Sequence, residues 1–405
     1  MKKADGKNII PVLLGADLNA YSVALAFREA YGIKSHVFAR YKCGATENSK
    51  FIITHIFAGL DDVGVAIPAL LKFAAENNGS ELFLIPCADW YVEMLEHAQA
   101  QLSGIYNIFL PDINIWRKVS DKCSFYSLME KKAISYPRYI SFLPNDKLST
   151  EKLSMFEYPA VIKPSDSSEY WRFPFDEMRK VYFPKSKEES RKIIDNIFRS
   201  GYKKSVILQE KVGGINGNRV LTTVSDGNGK VVRAVLGEVI LEEEGKTSLG
   251  NHSAIITIPL DKISFELIDF ISEIGYTGIA NFDIMISERK KYVLELNSRQ
   301  GRSCDYLRAA GINIAELIVK LARGEGVAPD FTYKEIYWHY PPHKTVAKYA
   351  DKNSVKTAER LYREGKSYTP YSNEYEGIVR RAYVCVHNVR LARKIKKDVR
   401  EGRAE

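Results

Sequence analysis

The stretch Asn281–Ser303, NFDIMISERKKYVLELNSRQGRS, constrains this chain more than any other. It reads as two strands, Asn281–Ile286 and Tyr292–Asn297, joined by the polar segment Ser287–Lys291. Side chains on a strand alternate faces with period two. Asp283 and Met285 therefore share one face, and Val293, Glu295 and Asn297 share one face. A connection over Ser287–Lys291 pairs Asp283 with Glu295 and Asn281 with Asn297. Two carboxylates and an amide then converge on one patch of sheet. Unpaired buried carboxylates are costly, so this patch calls for a cation. The oxygen donors of Asp283, Glu295 and Asn297 suit magnesium, which completes its shell with water and phosphate oxygens. Arg299 and Arg302 follow at once, placed to meet anionic oxygens bidentately. The same string also fits an ordinary charged surface hairpin, so the rest of the chain has to decide.

At 405 residues the chain can hold about two to four domains, each with a core. With 45% hydrophobic and 27% charged residues it has the composition of a globular protein. No run of eighteen apolar residues is present, which excludes a transmembrane helix. The apolar run in MKKADGKNIIPVLLGAD is too short for a signal peptide and lacks a small-residue cleavage pattern. Cys43, Cys87, Cys123, Cys304 and Cys385 are scattered without a CxxC pair, which argues against disulfides or zinc and for a reducing compartment. A cytoplasmic protein is expected. The net charge of +9 points to an anionic partner: nucleotide phosphates, a phosphorylated substrate, RNA or a membrane surface.

Strand and helix alternate through the first hundred residues. Ile9–Leu14, Ser35–Ala39, Phe51–Ile56 and Glu81–Pro86 read as strands; Tyr21–Tyr31, Ala66–Glu76 and Tyr91–Leu102 read as helices. Such alternation predicts a parallel sheet with ligands at the carboxyl ends of its strands. Asp17 and Asp89 fall there, as substrate ligands or as helix N-caps. The texture changes at Asp121. Lys122 opens a helix, and a strand at Tyr158–Pro164 delivers Lys163 to its end. A polar and aromatic loop, Ser165–Phe175, follows. Ser205–Val212 is a strand ending in Gln209-Glu210-Lys211, and Ser225–Gly229 is a hairpin turn. Leu241–Leu249, rich in Glu, reads as a mobile loop, and Asn313 as the N-cap of a helix to Ala322. From Val327 an aromatic cluster, Tyr337–Tyr340, leads to a tail with the basic run Arg390–Arg403.

Lys163, Gln209-Glu210-Lys211 and the Asp283, Glu295, Asn297 hairpin form an ordered set that resembles the ATP-grasp superfamily over roughly Asp121 to Glu325. The resemblance implies an α/β and α+β chain. Residues 1–120 would form a parallel, Rossmann-like pre-ATP-grasp domain and 121–205 the small lobe. Residues 206–326 would form the large lobe with the metal site, and 327–405 a small basic C-terminal extension. It implies ATP clamped between the lobes, with Mg2+ on Asp283, Glu295 and Asn297. Lys122 and Lys163 would meet phosphates as point charges, with Ser165 and Ser167 in the covering loop. Glu210, Lys211 and Val212 would meet adenine, largely through backbone groups. Arg299, with Arg302 beside it, would hold the substrate carboxylate and then an oxyanion. Two features depart from the pattern. The covering loop is Ser165-Asp166-Ser167-Ser168 where glycines are usual, and amides replace the acid that usually meets ribose near Asn216–Asn218.

Three segments, PVLLGADLNAYSVALAFREAYG, SSEYWRFPF and LELNSRQGRSCDYLRAAG, look like the D-aspartate ligase group of carboxylate–amine ligases. That resemblance implies an ATP-dependent ligase working through an acyl phosphate. Its partners would be a small-molecule carboxylate, such as D-aspartate, and an amine acceptor, such as the lysine of a muropeptide precursor. It leaves room for a homodimer and expects no nucleic acid. A ligase for another amino acid or peptide uses the same chemistry. A basic protein that binds nucleic acid or a membrane surface is the alternative of a different class. Arg380, Arg381 and Arg390–Arg403 are also candidates to hold a phosphorylated acceptor.

Overall fold

The computed structural model describes residues 8–214, 218–288 and 290–402. Asn216, Arg403 and the first seven residues of the amino-terminal run named above lie outside them. Three sheets organise the chain, and the candidate site residues stand where they meet.

The first sheet is parallel. Its strands are β1 (Ile9–Leu14), β2 (Ser35–Ala39), β3 (Ile52–Ile56), β4 (Glu81–Pro86) and β5 (Asn107–Ile108), in the order β3-β2-β1-β4-β5. The unbroken apolar run of β1 reflects helices packed on both faces of the sheet. Its carboxyl end and that of β4 are neighbours, register-paired up to Leu14 and Pro86. The chain leaves β1 through Gly15, which adopts φ +119°; a Cβ there would stand 3.3 Å from that of Cys87. Glycine therefore lets the two strand ends approach.

The second sheet is small and antiparallel, β6 (Tyr139–Phe142), β8 (Val206–Gln209) and β7 (Val161–Pro164), in that order. Helix Lys187–Arg199 covers it with Ile194 and Ile197. The third sheet carries β9 (Arg219–Ser225), β10 (Val231–Glu242), β11 (His252–Ile258), β12 (Gly278–Ser287), β13 (Lys290–Asn297), β14 (Tyr337–His339) and β15 (Ser367–Tyr368). Its order is β13-β12-β9-β10-β11-β14-β15, so the C-terminal extension contributes its last two strands. The Asp226 side chain closes the β9–β10 turn by accepting from the amides of Asn228 and Lys230.

Helix Lys262–Glu273 covers one face of the large sheet with Leu267, Phe270 and Ile271, against Leu221, Phe282 and Ile284. On the other face Leu317 and Ile318 share a continuous core with Phe27 of the first domain. Asn313 caps the helix Ile314–Ala322 as expected, and its Nδ2 also donates to the Ala26 carbonyl at 3.0 Å. The first and third sheets are thereby locked together. Of the segment 241–249 expected as a loop, Leu241 and Glu242 instead end β10 and the remainder is loop and turn; the Glu243 amide donates to the Asn251 carbonyl at 2.9 Å and its buried carboxylate is held by two cations.

Candidate active site

The site is built on the β12–β13 hairpin. Asn281 pairs with Asn297 and Asp283 with Glu295, the register expected from the sequence, although the route to it differs. The strands run on until Ser287 pairs with Lys290, a tighter turn than expected. One extra residue, Leu294, then bulges from β13 and restores the register, because the pairing shifts between Asp283 and Ile284. The bulge reverses the alternation on its far side. Val293 does not share a face with Glu295 as the period-two reading had it; it pairs with Ile284 and is buried in the core. The bulged Leu294 carbonyl accepts from the Tyr126 hydroxyl at 3.0 Å, which ties the hairpin to helix Lys122–Lys131.

Three lysines act on the two carboxylates, and one of them, Lys122, touches Glu295. Lys122, at the start of that helix, reaches Glu295 Oε2 at 3.1 Å and Ser167 Oγ at 3.5 Å. Burial opposes its charge, but Glu295 outweighs it and raises the pKa. Lys163, on β7, donates to the Tyr126 hydroxyl at 3.3 Å. Burial, reinforced by the charge of Lys122, pushes its pKa down to about 7. Lys180 is the third. Burial acts to raise the Glu295 pKa, yet Lys122, Lys163 and Lys180 together hold it far below the usual carboxylate range. Asp283 moves the other way: burial and the neighbouring Glu295 charge favour its protonated form. His252 stands 3.8 Å from Asp283, but burial, with Lys180 and Arg302 adding to it, lowers its pKa to about 3, so it is neutral there.

The arginines face the first domain. Arg299 grips Asp89 through two contacts of 2.7 Å, from Nε and from Nη2. Asp89 is not a cap, since its helix is preceded by Ala88 with no side-chain cap; Asp17 is one, accepting from the amides of Asn19 and Ala20. Between the arginines, Gln300 donates to Asn19 Oδ1 at 2.6 Å, and Asn19 donates back to the Gln300 carbonyl at 2.6 Å. Arg302 is turned aside: it pairs with Glu243 at 2.5 Å and lies over the Tyr340 ring at 5.2 Å. A cleft of about 150 Å³ opens between the domains, lined by Asp89, Lys122, Ser167, Lys180, Glu295, Asn297 and Arg299 among others.

The remaining candidates lie around it. Ser165 is fully buried with an unpartnered hydroxyl, and its amide and carbonyl bond to Ser205 and Lys122. Ser167 begins a short helix in the covering loop, whose Trp171 also lines the cleft. Glu210, Lys211 and Val212 follow β8. The Glu210 carboxylate accepts from the Arg138 amide at 2.8 Å, Lys211 is exposed with its ammonium over Phe183, and Val212 is buried. Two residues escaped the sequence reading. Lys180 sits in an irregular segment; only the short apolar run Val181–Phe183 that follows hints at strand-like pairing, which Tyr182 makes with Ile162 beside Lys163. Glu242 is buried and accepts from Asn218 at 2.6 Å, so an acid stands beside the amide in the expected ribose region.

The donor set fits a hard divalent cation. Asp283 Oδ1 is buried without a hydrogen-bond partner, while Asn297 Nδ2 donates to Oδ2 at 3.4 Å. Among the described residues no three His, Cys, Asp or Glu side chains form a self-sufficient metal cage. Two carboxylates and an amide instead leave coordination positions for phosphate and water, as magnesium sites do.

Comparison with known proteins agrees with this geometry. Residues 119–303 match the family model described as the ATP-grasp domain. A D-aspartate ligase from Enterococcus faecium (strain Aus0004) is 30% identical over 398 residues, 94% of each chain. Among solved structures, the biotin carboxylase domain of Hydrogenobacter thermophilus 2-oxoglutarate carboxylase aligns with TM-score 0.62 at 15% identity, covering 81% of this chain and 73% of that one. An L-amino acid ligase from Bacillus licheniformis aligns with TM-score 0.54 at 16% identity, covering 78% and 75%. Those structures bear on the fold alone. Fold and site together define an ATP-dependent ligase of the ATP-grasp class. The chain belongs to the ATP-grasp carboxylate–amine ligases, which form C–N bonds, and among them it is similar to D-aspartate ligase.

Proposed function

We propose that this enzyme phosphorylates the carboxylate of an amino acid with ATP, passes the acyl group to an amine, and releases ADP and phosphate. The observation that carries this reading is a single cleft lined by Lys122, Lys180, Glu295, Asn297 and Arg299, with Lys163 buried close enough for its charge to act on Glu295. A cationic wall beside a carboxylate pair suits a triphosphate, and an arginine at its edge suits a second anion. In this reading residues 121–205 and 206–326 act as the two lobes of the nucleotide clamp, behind the 1–120 domain.

Magnesium held by Asp283, Glu295 and Asn297 would neutralise phosphate charge. The protein's own groups do the rest. Lys122, oriented by Glu295, and Lys163, steadied by Tyr126, present ammonium groups to the phosphates. Lys163 takes up a proton as they arrive, because the phosphate charge offsets the burial that had lowered its pKa. Arg299 positions the substrate carboxylate and then stabilises the oxyanion as the amine attacks. Its fork is already preoriented by Asp89. The segment after β8, Glu210–Val212, is the candidate to meet adenine, largely through backbone groups; the Glu210 amide is already engaged by the Arg138 carbonyl at 2.9 Å, which leaves Lys211 and Val212 to supply donor and acceptor.

D-aspartate is the favoured acid, supported by the name of the 30% identical relative. A lysine amine of a peptidoglycan precursor is the favoured acceptor. The test is an ADP-release screen with each D- and L-amino acid, with and without a lysine-containing muropeptide. Oxygen-18 in the acid's carboxylate should appear in the released phosphate. AMP and pyrophosphate as products, or unlabelled phosphate, would overturn the acyl-phosphate route.

A further inference from the structure

Helix Ile378–Gly402 carries residues that the ligase chemistry does not use. Its inner side is anchored along its length. The guanidinium of Arg380, 1% exposed, donates to the carbonyls of Gly44, Ala45 and Glu47 and lies over the rings of Tyr21, Tyr371 and Tyr383. It is a strut to the first domain and is not available to an acceptor, contrary to the sequence expectation. Leu391, Ile395 and Val399 pack with Tyr340 and Tyr349, and Lys394 reaches Glu243 at 2.7 Å. The outer side therefore cannot roll inward.

At about 100° per residue, Ile378, Val379, Ala382, Val386 and Val389 fall on one outer stripe. Arg393, Lys396, Lys397 and Arg400 continue the same stripe along the second half of the helix. Ile378 is 84% exposed, Val379 70%, and Val386 and Val389 52% each. Scattered exposed apolar residues need no explanation, but several on one face of one helix do. Glu401, bonded to Lys397, is the acid at the border of the stripe.

We propose that this face docks on an anionic lipid surface, with the aliphatic half in the interfacial zone and the basic half on the headgroups. An apolar stripe continued by Lys and Arg is the pattern of an interfacial helix, and each basic residue adds attraction to anionic lipid. A second copy fits worse: pairing along the whole stripe sets basic on basic when parallel and basic on aliphatic when antiparallel. A nucleic acid would leave the aliphatic half without a partner, because no aromatic side chain stands on the stripe for base stacking.

The test is co-sedimentation of the full-length enzyme with vesicles of one-third phosphatidylglycerol in phosphatidylcholine, against pure phosphatidylcholine. Partitioning should be at least about tenfold stronger on the anionic vesicles and should weaken with salt. Val386→Glu/Val389→Glu and Arg393→Glu/Lys396→Glu should each lower it by at least about tenfold. Melting temperature should stay unchanged in both variants, and ADP release with soluble substrates should stay unchanged in the valine variant. Equal binding to both vesicle types, or no binding, overturns the proposal. So does full binding by the valine double variant, which would reduce the effect to nonspecific charge. A change of oligomeric state in the valine variant, or loss of RNA retention in the charge variant, with vesicle binding unaltered, assigns the face to another partner and also overturns it.

Discussion

Glu295→Gln keeps the size and hydrogen-bonding atoms of the side chain and removes one charge. In the structure that charge lies 3.1 Å from the Lys122 ammonium and also faces Lys163 and Lys180. At this separation two unit charges attract by about 5 kcal/mol at an effective dielectric of ~20, and desolvation takes back much of it. The substitution would also relieve Asp283, whose protonation Glu295 favours. The two effects oppose each other in the nucleotide-free enzyme, so its melting temperature should move by only a few degrees. The rate is another matter, because charge shifts on the transferred phosphoryl group in the transition state. Removing one strong electrostatic stabiliser costs about 100- to 1,000-fold in kcat, roughly 3–4 kcal/mol. Steady-state ADP release with saturating amino acid and amine separates kcat from the KM for ATP. A kcat within tenfold of wild type, or a loss confined to KM, would show that Glu295 only helps to bind nucleotide.

Arg299→Ala should raise the KM for the amino acid at least about tenfold and lower kcat, with ATP affinity within about twofold. Arg299→Lys should keep a cation for Asp89 yet stay impaired, because the bidentate fork is lost; a parallel loss of ATP affinity in either variant would remove Arg299 from the carboxylate role. Nucleotide affinity should depend on pH through Lys163. Its pKa without ligand is about 7 and the phosphates bind its charged form, so affinity is full below that value and falls as pH rises through it. Titration calorimetry from pH 6 to 9 should show weakening by up to about tenfold per unit above 7, flattened in Lys163→Met; a flat wild-type profile would refute the assignment.

Much of the site was legible because it is local in sequence. Asp283, Glu295 and Asn297 lie on one hairpin, so pairing of two adjacent strands brings them close, although the register that sets Asp283 against Glu295 also needs the Leu294 bulge. The parallel sheet was legible for a similar reason, since buried strands between helices leave few other arrangements. β11 and β14 were harder. His252–Ile258 follows a Glu-rich segment and Tyr337–His339 is three residues long, so neither shows a clear period by itself.

Contacts between distant segments are the part that only the tertiary structure decided. The Leu294 bulge depends on packing Val293 into a core with Ile284 and on a bond from Tyr126. Lys180 joins the lysine cluster because Tyr182 pairs across to Ile162. Arg299 finds Asp89, 210 residues earlier in the chain, and Arg302 finds Glu243 and, through it, Lys394. Charge and residue type were visible at each of these positions from the start. Which opposite charges would meet was not, because a long-range ion pair leaves no periodicity in the sequence and is set only by how the three sheets pack.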